Sequence, residues 1–175
     1  MMNSNNLIAQ IIGFVPLTLS IFIFLQNSRK KIVILKGCSD FLWAVHFFVL
    51  GEFTGGIVNL VNTLRNVIFA HRGKKWVDHA FIPILFCVFT LLSALPSFAG
   101  IKSLLPITGS CIAVVGFWQK NVNSLRIYNL VAVTLWLIYG FLVFSISTIL
   151  CNLFSITSIL ISFIKKPAAT ETQEK

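Results

Sequence analysis

The chain has 175 residues, of which 57% are hydrophobic and 11% charged, with a mean hydropathy of +0.89 and a net charge of +9. Too little polar surface is present for a soluble domain of this length, so the solvent for most of the chain is lipid. In lipid every backbone hydrogen bond must close within the structure, and the apolar runs are too long and continuous for barrel strands, so helices are expected.

Taken in order, the apolar runs are about 7–25, 32–50, 55–70, 79–95, 101–118, 124–143 and 145–164. Most approach the ~20 residues that a spanning helix needs. The first resembles a signal peptide only in position. Nothing basic precedes it, no small-residue cleavage site follows, and Arg29, Lys30 and Lys31 come directly after it. It is expected to be a first span with its N-terminus outside. The second run, within LKGCSDFLWAVHFFVLG at 35–51, carries Lys36, Asp40 and His46. The third is short and ends at the basic loop HRGKK. The tail KKPAATETQEK is polar, broken by proline and expected to be disordered and cytoplasmic.

With the N-terminus outside, only Lys102 of the 14 Lys and Arg residues falls on the outer side. That bias fits an odd number of spans, because one span more or fewer would scramble every later loop. The basic residues lie between apolar segments rather than among surface aromatics. They point to topology and anionic headgroups of a bilayer, not to nucleic acid. Trp43, Trp76, Trp118, Tyr128, Trp136 and Tyr139 fall near span ends, and a headgroup belt accounts for most of them.

Two stretches match in pattern. LWAVHFFVLGEFTGGIVNLVN ends at Asn62, and VTLWLIYGFLVFSISTILCN ends at Asn152. Each has an aromatic-rich apolar run, a glycine (Gly51, Gly140), a short loop, a second apolar run and an asparagine. Upstream of each lies a span with Pro and Gly (Pro16 and Gly13; Pro106 and Gly109) and then a basic loop. Residues 1–70 and 101–166 therefore read as two parallel three-helix repeats. Residues 71–100 supply a basic loop and the single inverting helix that such a duplication needs, and 167–175 form the tail.

The run HFFVLG at 46–51 followed by NLVNTLRN at 59–66, with LIAQIIG at 7–13 and LLPITG at 104–109, resembles the bacterial inner-membrane YgjV family. The resemblance covers roughly residues 7–166. That family in turn resembles the MtN3/SWEET-like superfamily of three-plus-one-plus-three helix sugar transporters. This implies an all-α, seven-span, multi-pass protein of the bacterial inner membrane. It also implies a substrate pocket between two bundles, with one asparagine from the third helix of each repeat. Asn62 and Asn152 match that pair by motif position. Pro16 and Pro106 are followed by Leu17 and Ile107, so the Pro-Gln signature of some relatives is absent.

An amide offers donors and acceptors without charge, which suits a neutral, sugar-like solute. Asn59 stands one turn from Asn62, and His46 with Trp136 completes the expected substrate-binding set. The bland alternative for the asparagines is helix-to-helix hydrogen bonding, and for His46 an interhelical hydrogen bond. Lys36 and Asp40 lie four apart on one helix face, but Lys before acid is the poorer order. Arg65 is the other candidate partner, making a buried ion pair of Lys36, Asp40 and Arg65. Cys38, Cys87, Cys111 and Cys151 lie within apolar runs with no CxxC spacing and read as small buried hydrophobes. No metal or cofactor motif occurs, and no HExxH, GxSxG or paired carboxylates, so an enzyme is not expected. The functional expectation is a transporter or facilitator working by alternating access. The alternative is a non-transporting scaffold or regulator that reuses the fold.

Overall fold

The computed structural model describes residues 4–164 apart from positions 24 and 27. The expected tail, 167–175, lies outside the described residues. Among those described, the chain is all-helical: α1 (Ser4–Ile23), α2 (Arg29–Val49), α3 (Phe53–Phe69), α4 (Phe81–Ala94), α5 (Ile101–Trp118), α6 (Val122–Leu142) and α7 (Ile146–Ile164). A 3-10 turn at Leu95–Ser97 follows α4 directly.

Each expected segment is a helix, with small differences at the ends. α2 begins at Arg29 rather than at residue 32, because its first turn is basic and an apolar run cannot register it. Ser28 before it is extended, which sets the start. α2, α5, α6 and α7 are long and apolar enough to cross a membrane, while Ile8–Ile23 and Phe81–Ser97 are shorter apolar helices.

The repeat pattern pairs Gly51 with Gly140, but the two do different work. Gly51 forms the α2–α3 turn with φ +81°, a conformation that L side chains rarely adopt. Gly140 lies within α6, where an added Cβ would sit 3.1 Å from Thr148 Cγ2 of α7. The positive φ of the α6–α7 turn falls instead on Phe144, at 51°.

Packing follows a closed order. α1 packs on α2 and α2 on α3; α5 packs on α6 and α6 on α7. The two groups meet where α1 lies against α7 and α3 against α5, so six helices form a ring. α4 sits against α3 and α5.

The polarity is inside out relative to a soluble protein. Phe14, Phe22, Leu64, Phe89, Phe141 and Phe154 are exposed, while Asp40, His46, Asn62, Arg65, Asn66 and Asn152 are buried. An apolar exterior around buried charges is what hydrocarbon selects. Cys151 is buried, Cys87 and Cys111 are half-buried, and all three are free. Cys38 departs from expectation: it is exposed on the outer face of α2, where an apolar thiol is as well placed as in a core.

Two large apolar clusters occupy the ring, and a smaller one of Val58, Ala94 and Ile107 joins α3, α4 and α5. One large cluster holds Ile23, Ile32, Phe69, Phe117 and Leu125. The other holds Leu17, Trp43, Phe47 and Tyr139, with Phe47 and Tyr139 ring centroids 5.6 Å apart. Polar side chains collect between them.

Candidate functional site

α2 and α3 present one charged cluster to the ring interior. The Asp40 carboxylate and the Arg65 guanidinium are each only 1% exposed. Such burial is costly unless each charge is paired and its remaining hydrogen-bonding capacity is used. Asp40 Oδ1 accepts from Lys36 Nζ, one turn away on the same helix. Asp40 Oδ2 accepts from Asn66 Nδ2 at 2.8 Å and lies 3.8 Å from Arg65 Nη2. Asn66 Oδ1 in turn accepts from Arg65 Nε at 3.2 Å and Nη2 at 3.1 Å. Asn66 therefore completes the pair, donating to the acid and accepting from the base. The expected ion pair thus has both candidate partners. Arg65 also lies over the Phe117 ring at 4.9 Å.

Asn62 extends the cluster across the ring. Its Oδ1 accepts from Arg65 Nη1 at 2.9 Å, and its Nδ2 donates to Ser110 Oγ of α5 at 2.9 Å. Asn152 behaves differently, donating from Nδ2 to Thr148 O of its own helix at 2.8 Å. Asn59 does the same to Gly55 O at 2.8 Å.

Asn59, Asn62, Asn152, Trp136, Lys36, Asp40 and Arg65 all line one cavity of about 50 Å³. That holds a few waters and is well below the ~300–1,000 Å³ of small-molecule pockets. The wall opposite the charges carries Asn129, Thr148 and Ser155, and Trp43 and Phe47 complete an apolar side. Lys36 keeps 21% of its side chain accessible.

His46 stands outside the lining and reaches it indirectly. Its Nδ1 lies 2.7 Å from Ala9 O, and a carbonyl only accepts, so Nδ1 carries the proton. Nε2 lies 2.9 Å from Ser145 Oγ and accepts from it when the ring is neutral. Ser145 Oγ lies 2.7 Å from Thr148 Oγ1, which is on the cavity wall. His46 thus makes the interhelical bonds named as its bland alternative, joining α2 to α1 and to the start of α7.

Two polar clasps lie at opposite ends of the ring. At one, Arg29 donates to Phe69 O at 3.2 Å, to Gln119 O at 3.0 Å and to Phe117 O. These carbonyls lie at the C-terminal ends of α3 and α5, where few intrahelical donors remain. At the other, Glu52 Oε1 accepts from Lys102 Nζ at 2.9 Å, and Tyr139 Oη donates to Oε2 at 3.4 Å. Gln10 Oε1 accepts from Ser147 N and Oγ, both at 3.1 Å, tying α1 to α7.

Sequence reasoning placed the asparagines and the ion pair but assigned no cavity role to Asn129, Thr148 or Ser155. The Arg29 clasp was also missed, because its acceptors are backbone carbonyls. Ser110 had a usable signal: Pro16 and Pro106, Ser20 and Ser110, and Asn62 and Asn152 are separated by the same number of residues.

Apolar helices of membrane-crossing length around a buried, charged, hydrogen-bonded cavity define an integral helical membrane protein. The chain belongs to the YgjV family, described as bacterial inner membrane protein, whose model matches residues 7–169. No curated protein and no solved structure matches it.

Proposed function

We propose that the chain is a membrane transporter or facilitator of a small polar solute, working by alternating access between two three-helix bundles. The bundles are α1–α3 and α5–α7, related as parallel SWEET-like repeats, with α4 as the inverting link and the N-terminus outside. The observation that carries this reading is the cavity lined by Asn62 from one bundle and Asn152 from the other. The equally spaced Pro, Ser and Asn pairs support the duplication.

The clasps support a rocking motion. Both cross between the bundles, Arg29 at one end and Glu52 with Lys102 and Tyr139 at the other. Releasing one while keeping the other opens the cavity to one side only. An apolar cluster lies towards each end of the cavity. The amides alone suit a neutral, sugar-like solute, but the charged wall adds a requirement that such a solute does not meet.

The scaffold reading keeps one observation in its favour: Asn62 is bonded to Ser110 across the bundle boundary, as a static seam would have it. Uptake by proteoliposomes separates the two. Purified protein is compared with the Asn62→Ala, Asn152→Ala double variant over a panel of small solutes. Faster uptake of at least one solute by the unaltered protein is expected. Identical rates for every solute would leave the scaffold.

A further inference from the structure

We infer that the cavity between the bundles takes a small monoanion of the carboxylate class, seated against Lys36. This deepens the transport reading and rests on it for the idea that the cavity is a solute site.

Charge comes first. Among the described residues, three charged side chains line the cavity: Lys36, Arg65 and Asp40. Two cations face one carboxylate, so the site carries an excess positive charge inside an apolar ring. The other polar lining groups, among them Asn129, Thr148, Asn152 and Ser155, are neutral and cancel none of it. An uncompensated charge in such surroundings is costly, and a bound anion removes the cost.

Hydrogen bonding says where the anion sits. Arg65 has three of its five N–H groups occupied, Nε and Nη2 by Asn66 and Nη1 by Asn62, and it is only 1% exposed. Asp40 has both oxygens occupied, by Lys36 and by Asn66. Lys36 differs, because an ammonium has three donors and its one hydrogen-bond partner among the described residues is Asp40. Its remaining N–H groups and its accessible fraction are what the cavity offers. Asn152 uses one amide proton on Thr148 O and has further capacity on the facing wall.

Size narrows the class further. About 50 Å³ fits an anion of a few heavy atoms and excludes a hexose in this form.

Thermal unfolding of the purified full-length protein tests the inference. Sodium acetate is titrated at ionic strength held constant with gluconate, which is too large for the cavity. Acetamide serves as the neutral isostere. Acetate is expected to raise the unfolding midpoint saturably, and acetamide to leave it unmoved. Lys36→Met should weaken the apparent acetate affinity by at least roughly tenfold, the scale of one charge-assisted hydrogen bond, whereas Lys36→Arg should retain it. Asn152→Asp leaves the ion pair intact and cancels the excess charge from the other wall. It should abolish the acetate response even if Lys36→Met fails to fold. Equal responses to acetate and acetamide, or an acetate response that survives Asn152→Asp, overturn the inference. Acetate flux into proteoliposomes separates the two proposals. Binding without flux removes the transport reading and leaves the anion site. Flux of a neutral sugar with no acetate binding does the reverse.

Discussion

The Asn62 wall and the Asn152 wall of the cavity come from matching positions and are held in opposite ways. On the Asn62 side, the charged groups and Asn62 are tied to one another or to another helix: Asp40 to Lys36 and Asn66, Arg65 to Asn62, Asn62 to Ser110. On the Asn152 side, the amide is satisfied by its own helix, and its neighbours are hydroxyls. One wall is a rigid charged network and the other a set of neutral groups with capacity to spare. The Pro, Ser and Asn positions recur at one spacing along the chain, while the charged residues lining the cavity lie on α2 and α3. That asymmetry gives the cavity a direction.

The largest effect should come from breaking the network. Asp40→Ala strands Arg65 with no carboxylate in a buried site, and the loss of a partner there typically costs ~3–5 kcal/mol. Chemical denaturation in detergent micelles should show it, with Asp40→Asn retaining part of the stability. A loss below ~1 kcal/mol would mean that the network is not what organises this wall. Next is Gly13, where α1 meets α7. An added Cβ would lie 2.2 Å from Ser147 Oγ and 2.6 Å from Ser147 Cβ. Gly13→Ala should cost ~1–3 kcal/mol by overpacking. The same assay should then show whether the bundles rest on this close approach.

The sharpest comparison is between the asparagines. Asn62→Ala removes an interhelical bond and an acceptor of Arg65, and should cost ~1–2 kcal/mol. Asn152→Ala removes only a bond within its own helix and should cost ~0.5 kcal/mol or less. Equal losses would erase the distinction between the walls. The smallest effect is at the α6–α7 turn. Phe144 holds φ 51° and its side chain is exposed, so Phe144→Gly should stabilise by about 1 kcal/mol through relief of backbone strain. The matching turn already has glycine at position 51.

Much of this was legible in the sequence, for reasons that differ by residue. The seven helices follow from apolar runs, which hydrocarbon makes obligatory. The Lys36–Asp40–Arg65 cluster was legible because buried charges in lipid must find each other. Asn62 and Asn152 stood out through position within a duplicated pattern. Three features were not legible. The Arg29 clasp uses backbone carbonyls, which have no residue signature. Asn66 carries no charge to mark it in the sequence, and only the geometry shows it joining the acid to the base. His46 was grouped with the solute site, yet its ring is turned to Ala9 O and Ser145 and touches the cavity wall only through Thr148. The turn glycines show the same limit. Gly51 and Gly140 match in pattern, but one makes a turn and the other makes room for Thr148 within a helix.

Cys151 gives the most direct test, because it lines the cavity and its thiol donates to Ser20 Oγ across the α1–α7 boundary at 3.0 Å. A variant with Cys38, Cys87 and Cys111 replaced by Ser is reconstituted and treated with a membrane-impermeant methanethiosulfonate. If the bundles part to expose a polar cavity, Cys151 is modified, and acetate slows the reaction while acetamide does not. If Cys151 stays unmodified from both sides while a cysteine placed in the 70–80 loop reacts fully, the bundles do not open and the cavity is a sealed seam.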